Sequence, residues 1–232
     1  MRVEPHTIDS IVHVIKRGAR GLPIVRDIHD QKRFPRLLYH LNDSYRDEYW
    51  ERSICEREPF VRPAHWPERK PLVKILAWTL MSNHLHLVLK EIYESGIARF
   101  TQKVFGSMTT HFNAKYGEHG SLFQGSYRGR TVDFHGNEYL RYLAVYVMVK
   151  NPFELYPGGL IRAIEHFDEA YAWAVKYQFC SLSDYAREIV SPILDKDIFG
   201  ELFKHPDDFK NFSRECMQYN LEQFKDLDFG QV

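Results

Sequence analysis

The chain is expected to fold as an α+β sandwich, with helices laid on a mainly antiparallel sheet in ferredoxin-like order. Three observations predict this. Short apolar or β-branched runs at residues 11–16 (IVHVIK), 72–80 (LVKILAWTL) and 84–90 (HLHLVLK) have strand character. Only Met81-Ser82-Asn83 separates the second run from the third, which makes them a hairpin. Between and after these runs lie segments of helical periodicity, giving the order strand, helix, hairpin, helix, strand, helix.

The elements follow in turn. Residues 11–16 run into Arg17-Gly18-Ala19-Arg20-Gly21, a basic turn punctuated by glycine. Phe34, Leu37, Leu38 and Leu41 predict a helix over about residues 30–45, with Pro35 in its first turn or kinking its start. Residues 46–71 are charge-dense and then broken by Pro59, Pro63, Pro67 and Pro71, as in a surface insertion. Ile97, Phe100, Val104, Met108 and Phe112 repeat at helical spacing over residues 97–116. A turn-rich stretch, 117–129, leads to a short strand at 130–134. A helix over 137–150 is then expected to stop before Asn151-Pro152. Further helices are expected near 164–178, 181–189, 195–204 and 206–219. The organisation is therefore a body, residues 1–155, followed by a helical extension, residues 156–232.

Composition narrows the function classes. Among 232 residues, 44% are hydrophobic and 15% aromatic, which excludes a disordered chain. No apolar run approaches the roughly 20 residues of a membrane helix. The start, MRVEPHTIDS, lacks the pattern of a secretory signal. Cys55, Cys180 and Cys216 are far apart, so neither a disulfide framework nor a cysteine zinc site is expected, and a reducing cytoplasm fits. The 31 basic residues balance the 31 acidic ones, but unevenly along the chain. Residues 151–232 hold 8 Lys+Arg against 15 Asp+Glu, a charge of −7, leaving +7 on residues 1–150. A basic body with an acidic extension suits a polyanion partner for the body.

Three features carry chemistry. In a strand, His84 and His86 project from one face, where two imidazoles can hold one divalent metal. Tyr139, Tyr142 and Tyr146 share one face of a helix, either as an aromatic core stripe or as a source of a phenol nucleophile. Residues 119–130 (HGSLFQGSYRGR) combine glycines, aromatics and arginines. That mixture lets a backbone approach a phosphate chain and lets rings stack on unpaired bases.

Taken in order, these segments resemble the single-tyrosine HUH transposases, the insertion-sequence and REP-associated enzymes that process single-stranded DNA. AWTLMSNHLHLVLK (77–90) is similar to their HUH motif, and VHVIKRGARGLPIV (12–25) to their first strand and arginine-glycine turn. Residues 97–130 resemble the long helix and the loop behind it, and NEYLRYLAVYVMVKNP (137–152) resembles the tyrosine helix. The likeness spans about residues 8–155, and more loosely the tail around 170–212.

The resemblance implies an HUH endonuclease fold and a set of roles. His84 and His86 would be ligands of a divalent metal, Mg2+ or Mn2+. Seven residues beyond Tyr139 of the Glu138-Tyr139-Leu140 landmark, Tyr146 would be the nucleophile, with Tyr142 one turn earlier as the fallback. The family's third ligand is a Gln or Asn four residues after the tyrosine. Here Lys150 stands at that position and Asn151 comes one residue late, so the third ligand is open between the two. Lys16-Arg17-Gly18 also departs from the family, in which an Asn commonly precedes the Arg-Gly pair. Lys16, Arg17, Arg20, Lys103, Arg128 and Arg130 would contact DNA.

The implied reaction is nicking and strand transfer of hairpin-bearing single-stranded DNA through a 5′-phosphotyrosine, and it is expected to weaken in acid as the histidines protonate. The protein would be cytoplasmic and nucleoid-associated in a prokaryotic cell, as a monomer or a homodimer, with no membrane partner. Two competing readings are a domesticated, catalytically weak DNA-binding protein of the same fold and a non-DNA metallohydrolase.

Overall fold

The computed structural model describes residues 7–132, 136–187 and 190–227. Its centre is a four-stranded antiparallel sheet with strand order β2-β3-β1-β4, formed by β1 (Ile11–Arg17), β2 (Val73–Leu80), β3 (His84–Glu91) and β4 (Arg128–Thr131). α1 (Ile28–His40) joins β1 to β2, and α3 (Gly96–Tyr116) joins β3 to β4. A short α2 (Trp50–Ser53) lies between α1 and β2. The α+β class and the antiparallel sheet are as the sequence predicts.

The two faces of the sheet are covered by different layers. Because side chains alternate along a strand, Val12 and Val14 of β1 join Leu85, Leu87 and Leu89 of β3 on one face. There they pack against Phe34, Leu37 and Leu38 of α1 and Phe100, Val104 and Met108 of α3. Lys115 of α3 clamps the start of α1, its Nζ lying 2.6 Å from Asp27 and 2.7 Å from Asp30.

Ile11, Ala77 and Val88 face the other way, into a core shared with α4 (Gly136–Val145) and the extension. The body closes with α5 (Asn151–Glu154), and the extension comprises α6 (Gly159–Glu165), α7 (Phe167–Lys176), α8 (Leu182–Ala186), α9 (Asp197–Leu202), α10 (Pro206–Tyr219) and a final 3-10 segment, Leu221–Leu227. Phe167, Phe199, Phe209 and Phe224 are its buried anchors. The stretch between α7 and α8 also screens the outer edge of β2. Leu80 N–H donates to Phe179 O at 2.9 Å, and Ser181 N–H donates to Trp78 O at 3.0 Å. An open strand edge is thereby satisfied.

Several boundaries differ from expectation. α1 begins at Ile28 because the Asp27 carboxylate caps it, accepting from the backbones of His29 and Asp30 at 2.9 Å. Pro35 therefore lies in the helix interior rather than its first turn. The helix stops at His40, not near residue 45. Asn42 leaves the helix to bond the start of β2 through Leu72 N, Val73 N and Val73 O.

β4 spans Arg128–Thr131 rather than residues 130–134, since its partners on β1 run from Ile15 to Val12; residues 133–134 lie outside those described. The helix expected over 164–178 is two, broken at His166 with φ −112° and ψ 49°. α8 is shorter than 181–189, of which 188–189 lie outside the described residues. The 46–71 insertion folds back on the body: Trp50 and Trp66 are buried and Arg62 pairs with the buried Asp43.

Candidate histidine–tyrosine site

Strand register gathers the polar residues of the sheet. Ile15 opposes His86 and Arg17 opposes His84 between β1 and β3, while Thr79 of β2 opposes His86 from the other side. On β4, Arg130 opposes His13 and Arg128 opposes Ile15. Side-chain alternation then sets His13, Arg17, Thr79, His84, His86, Arg128 and Arg130 on one face. His84 and His86 do project together, and their ring centroids are 5.0 Å apart.

His13 is the member that sequence reasoning missed. Its Nε2 lies 3.0 Å from His86 Nδ1, the rings stack at 5.3 Å, and both side chains are buried. The signal was available in the alternation of Ile11, His13 and Ile15 along β1, which points a histidine inward.

Each imidazole of the His84–His86 pair has its Nδ1 engaged. For His84 the partner is Asn83 Oδ1 at 2.7 Å, an oxygen that only accepts, so His84 Nδ1 carries the proton and Nε2 keeps a lone pair. Asn83 is held in that orientation by its Nδ2 donating to Gly21 O at 3.3 Å. The basic turn thus braces the β2–β3 loop, also through Asn83 O, which accepts from Gly18 N–H at 2.8 Å. Gly18 has no room for a side chain, as a Cβ there would sit 2.0 Å from Leu22 O. For His86 the Nδ1 partner is His13. When His86 donates in that bond, its Nε2 is the ring nitrogen left for a ligand.

Over this face lies the tyrosine helix. It does not stop before Asn151-Pro152 as expected. α4 passes into a π-helical turn, Tyr146–Lys150, and then directly into α5. A π turn leaves carbonyls poorly served by the helix itself. Here the sheet supplies donors: Thr79 Oγ1 donates to Val147 O at 2.5 Å, and Cys180 Sγ lies 3.5 Å from Met148 O.

The anchored turn brings the Tyr146 ring to 5.4 Å from His86 and 5.8 Å from His13, edge-on to both. Tyr142 points elsewhere, against Phe212 and Phe224. Tyr139 reaches Arg130, whose Nη1 lies 3.5 Å from its hydroxyl. Tyr146 is only 1% exposed, and Phe224 of the final 3-10 segment packs on it at 5.9 Å.

The two candidate third ligands are placed differently. Lys150 lays its ammonium 5.0 Å from the Tyr146 ring centroid and pairs with Glu154 at 2.6 Å. Asn151 is buried, and its Nδ2 has no hydrogen-bond partner among the described residues. Nor, among them, does any set of three His, Cys, Asp or Glu side chains form a metal-holding group. The donors that this face presents to a divalent ion are the imidazoles of His84 and His86.

Electrostatics favour neutral imidazoles. Burial, with Arg130 nearby, draws the His13 pKa down to about 3. Burial also holds His86 well below its ordinary value, helped by His13, His84, Lys150 and Arg17.

The cations assigned to DNA do not form one patch. Arg17, Arg128 and Arg130 lie on the histidine face, and Arg20 is exposed on the turn with φ 56°. Lys16 and Lys103 belong to the opposite face. Lys103 is committed to the segment just after α1, its Nζ 2.5 Å from Asp43 O and 3.3 Å from Tyr45 O.

No family model matches the chain, and no curated protein matches it either. Among solved structures it is similar to that of a REP-associated tyrosine transposase bound to a REP hairpin. Identity is 11%, over 85% of this chain and 92% of that one, with a TM-score of 0.42. At that level the likeness says nothing about individual side chains. No helix among the described residues is long and apolar enough to cross a membrane.

Proposed function

We propose that the chain is a metal-dependent endonuclease and strand transferase of hairpin-bearing single-stranded DNA, acting as a transposase with Tyr146 as its nucleophile. The observation that carries this reading is the edge-on approach of the Tyr146 ring to His86 and His13, at 5.4 and 5.8 Å, on a face edged by Arg17, Arg128 and Arg130. A phenol beside paired neutral imidazoles and arginines suits attack on a phosphodiester.

His84 and His86 would hold Mg2+ or Mn2+ through Nε2, with Asn151 rather than Lys150 as the third donor. When bound, the ion supplies polarisation of a non-bridging oxygen of the scissile phosphate. The chain's own groups do the rest. Arg17, Arg128 and Arg130 neutralise and orient the strand. Tyr146 Oη loses its proton and bonds to phosphorus as the P–O3′ bond breaks, giving a 5′-phosphotyrosine and a free 3′-hydroxyl. The phosphodiester energy is kept in that bond, so a second 3′-hydroxyl can reverse the step without ATP.

Since Tyr146 is 1% exposed, this conformation is closed and DNA must displace the segment bearing Phe224. The same burial favours a second reading, a binding protein of this fold that has lost turnover. Incubation with 5′-extended hairpin DNA and Mn2+ separates the two: the enzyme leaves a denaturation-resistant protein–DNA adduct and the binding protein does not.

A further inference from the structure

Lys16 is out of keeping with its surroundings. It sits near the end of β1 opposite Leu85, on the face covered by α3, and is only 7% exposed. Among the described residues no carboxylate pairs with it. Its Nζ donates to Gly125 O at 2.5 Å and lies over the rings of Phe105 and Phe123, at 5.4 and 5.1 Å. Burying an ammonium without a counter-charge is costly, and a carbonyl and two ring faces offset only part of that cost.

The ammonium lies beside a cavity of about 760 Å³ between α3 and the glycine-rich loop. Phe105, Phe123 and Tyr127 line the cavity together with Thr101, Thr109 and Ser121, whose hydroxyls donate to backbone carbonyls. No acidic residue lines it, whereas the neighbouring cleft across the α3 ridge includes Asp47 and Glu48.

We propose that this cavity is a pocket for one unpaired nucleotide of the DNA strand, with the Lys16 ammonium receiving its phosphate and the aromatic wall its base. Phosphate supplies the missing counter-charge, and the rings offer the stacking surface every base can use. The pocket lies on the opposite side of the sheet from Tyr146. Its occupant is then a nucleotide away from the scissile bond, carried round the β4 edge where Arg128 is exposed. This identity of the ligand rests on the single-stranded DNA reading above. With the ammonium pKa drawn down to about 8 by burial, Lys16 is still largely charged at neutral pH, and a bound phosphate would restore it.

The test is titration of the full chain with thymidine monophosphate, thymidine and inorganic phosphate, followed by amide NMR shifts. Thymidine monophosphate should shift Ser121, Phe123 and Gly125, and each of the other two should bind at least about tenfold more weakly. Lys16→Met should abolish the response, whereas His86→Ala should leave it. Should Lys16→Met fail to fold, Thr109→Phe, which fills the cavity from α3, must abolish it instead. A hairpin with an unpaired 5′ segment should displace the nucleotide, and a blunt, fully paired hairpin should not.

Unaltered binding in the lysine or threonine variant, shifts centred elsewhere, or no displacement by the unpaired strand would each overturn the pocket. The outcome is independent of the adduct assay. Nucleotide binding at Lys16 without any adduct leaves the pocket standing and removes the nicking reading; an adduct without nucleotide binding does the reverse.

Discussion

The backbone N–H of Asn151 donates to the carbonyl of Tyr146, five residues earlier rather than four. That one relationship sets which residue follows Tyr146 across the turn. A π turn absorbs one residue, so Asn151 closes the turn on Tyr146 as a residue four positions on would in a regular α-helix. Lys150 turns to Glu154.

If Asn151 is buried for a ligand rather than for packing, removing its amide should help the fold and harm the site. An unsatisfied buried amide nitrogen costs roughly 1–3 kcal/mol. Asn151→Leu should therefore keep or raise the urea midpoint while weakening Mn2+ binding, read by the paramagnetic resonance of the free ion. A destabilised variant with unaltered Mn2+ affinity would count against the assignment.

Stability should fall in acid. In the unfolded chain the imidazole at position 13 takes up a proton below about pH 6.5, whereas in the folded state it stays neutral until about pH 3. Between those values the unfolded state binds more protons, so stability rises with pH there and is lost as pH falls, by about 1.4 kcal/mol per unit for one such group. His86, also held low by burial, acts in the same direction. Urea titrations between pH 7.5 and 4.5 should show the slope, and His13→Phe should flatten it.

Much of the fold is legible because its signals are local. β-Branched alternation, the three-residue break before His84 and the 3–4 spacing of Ile97, Phe100, Val104 and Met108 each need only neighbouring residues. What is not legible depends on partners distant in sequence. The end of α1 is set by Asn42 bonding to β2, and the reach of β4 by where β1 begins. The π turn is stabilised by Thr79 and Cys180, which nothing near residue 147 announces. At the site, alternation alone puts His84 beside His86. The pairing of His13 with His86 needed the β1–β3 register, and the split of Lys16 from Arg17 needed only their opposite parity on one strand.

Phe224 should act as a cover as well as an anchor. Truncating a buried Phe costs roughly 3 kcal/mol, and Phe224→Ala should show a loss of that order by denaturant melts. It should also expose the Tyr146 ring. Nitration of Tyr146 by tetranitromethane, located by peptide mapping, should be slow in the wild type and faster in the variant. Equal rates would mean that something other than the final segment shields the phenol.

The covalent intermediate discriminates most sharply among the readings, because a tyrosine nucleophile keeps the DNA end on the protein and a metallohydrolase releases both ends. The wild type with 5′-extended hairpin DNA and Mn2+ should give an adduct that survives denaturation and carries the strand downstream of the nick. Tyr146→Phe keeps the ring packed against His86 and Phe224 but removes the attacking oxygen. It should eliminate the adduct, a fall of at least about 10³-fold in cleavage, with little change in the melting midpoint. Tyr142→Phe should leave the adduct largely intact, since that ring packs on Phe212 and Phe224 and not on the histidines. Loss of the adduct in the Tyr142 variant with retention in the Tyr146 variant moves the nucleophile back one helical turn. If neither the wild type nor the opened Phe224→Ala variant forms an adduct, burial is not what silences Tyr146, and the binding-protein reading replaces the enzyme.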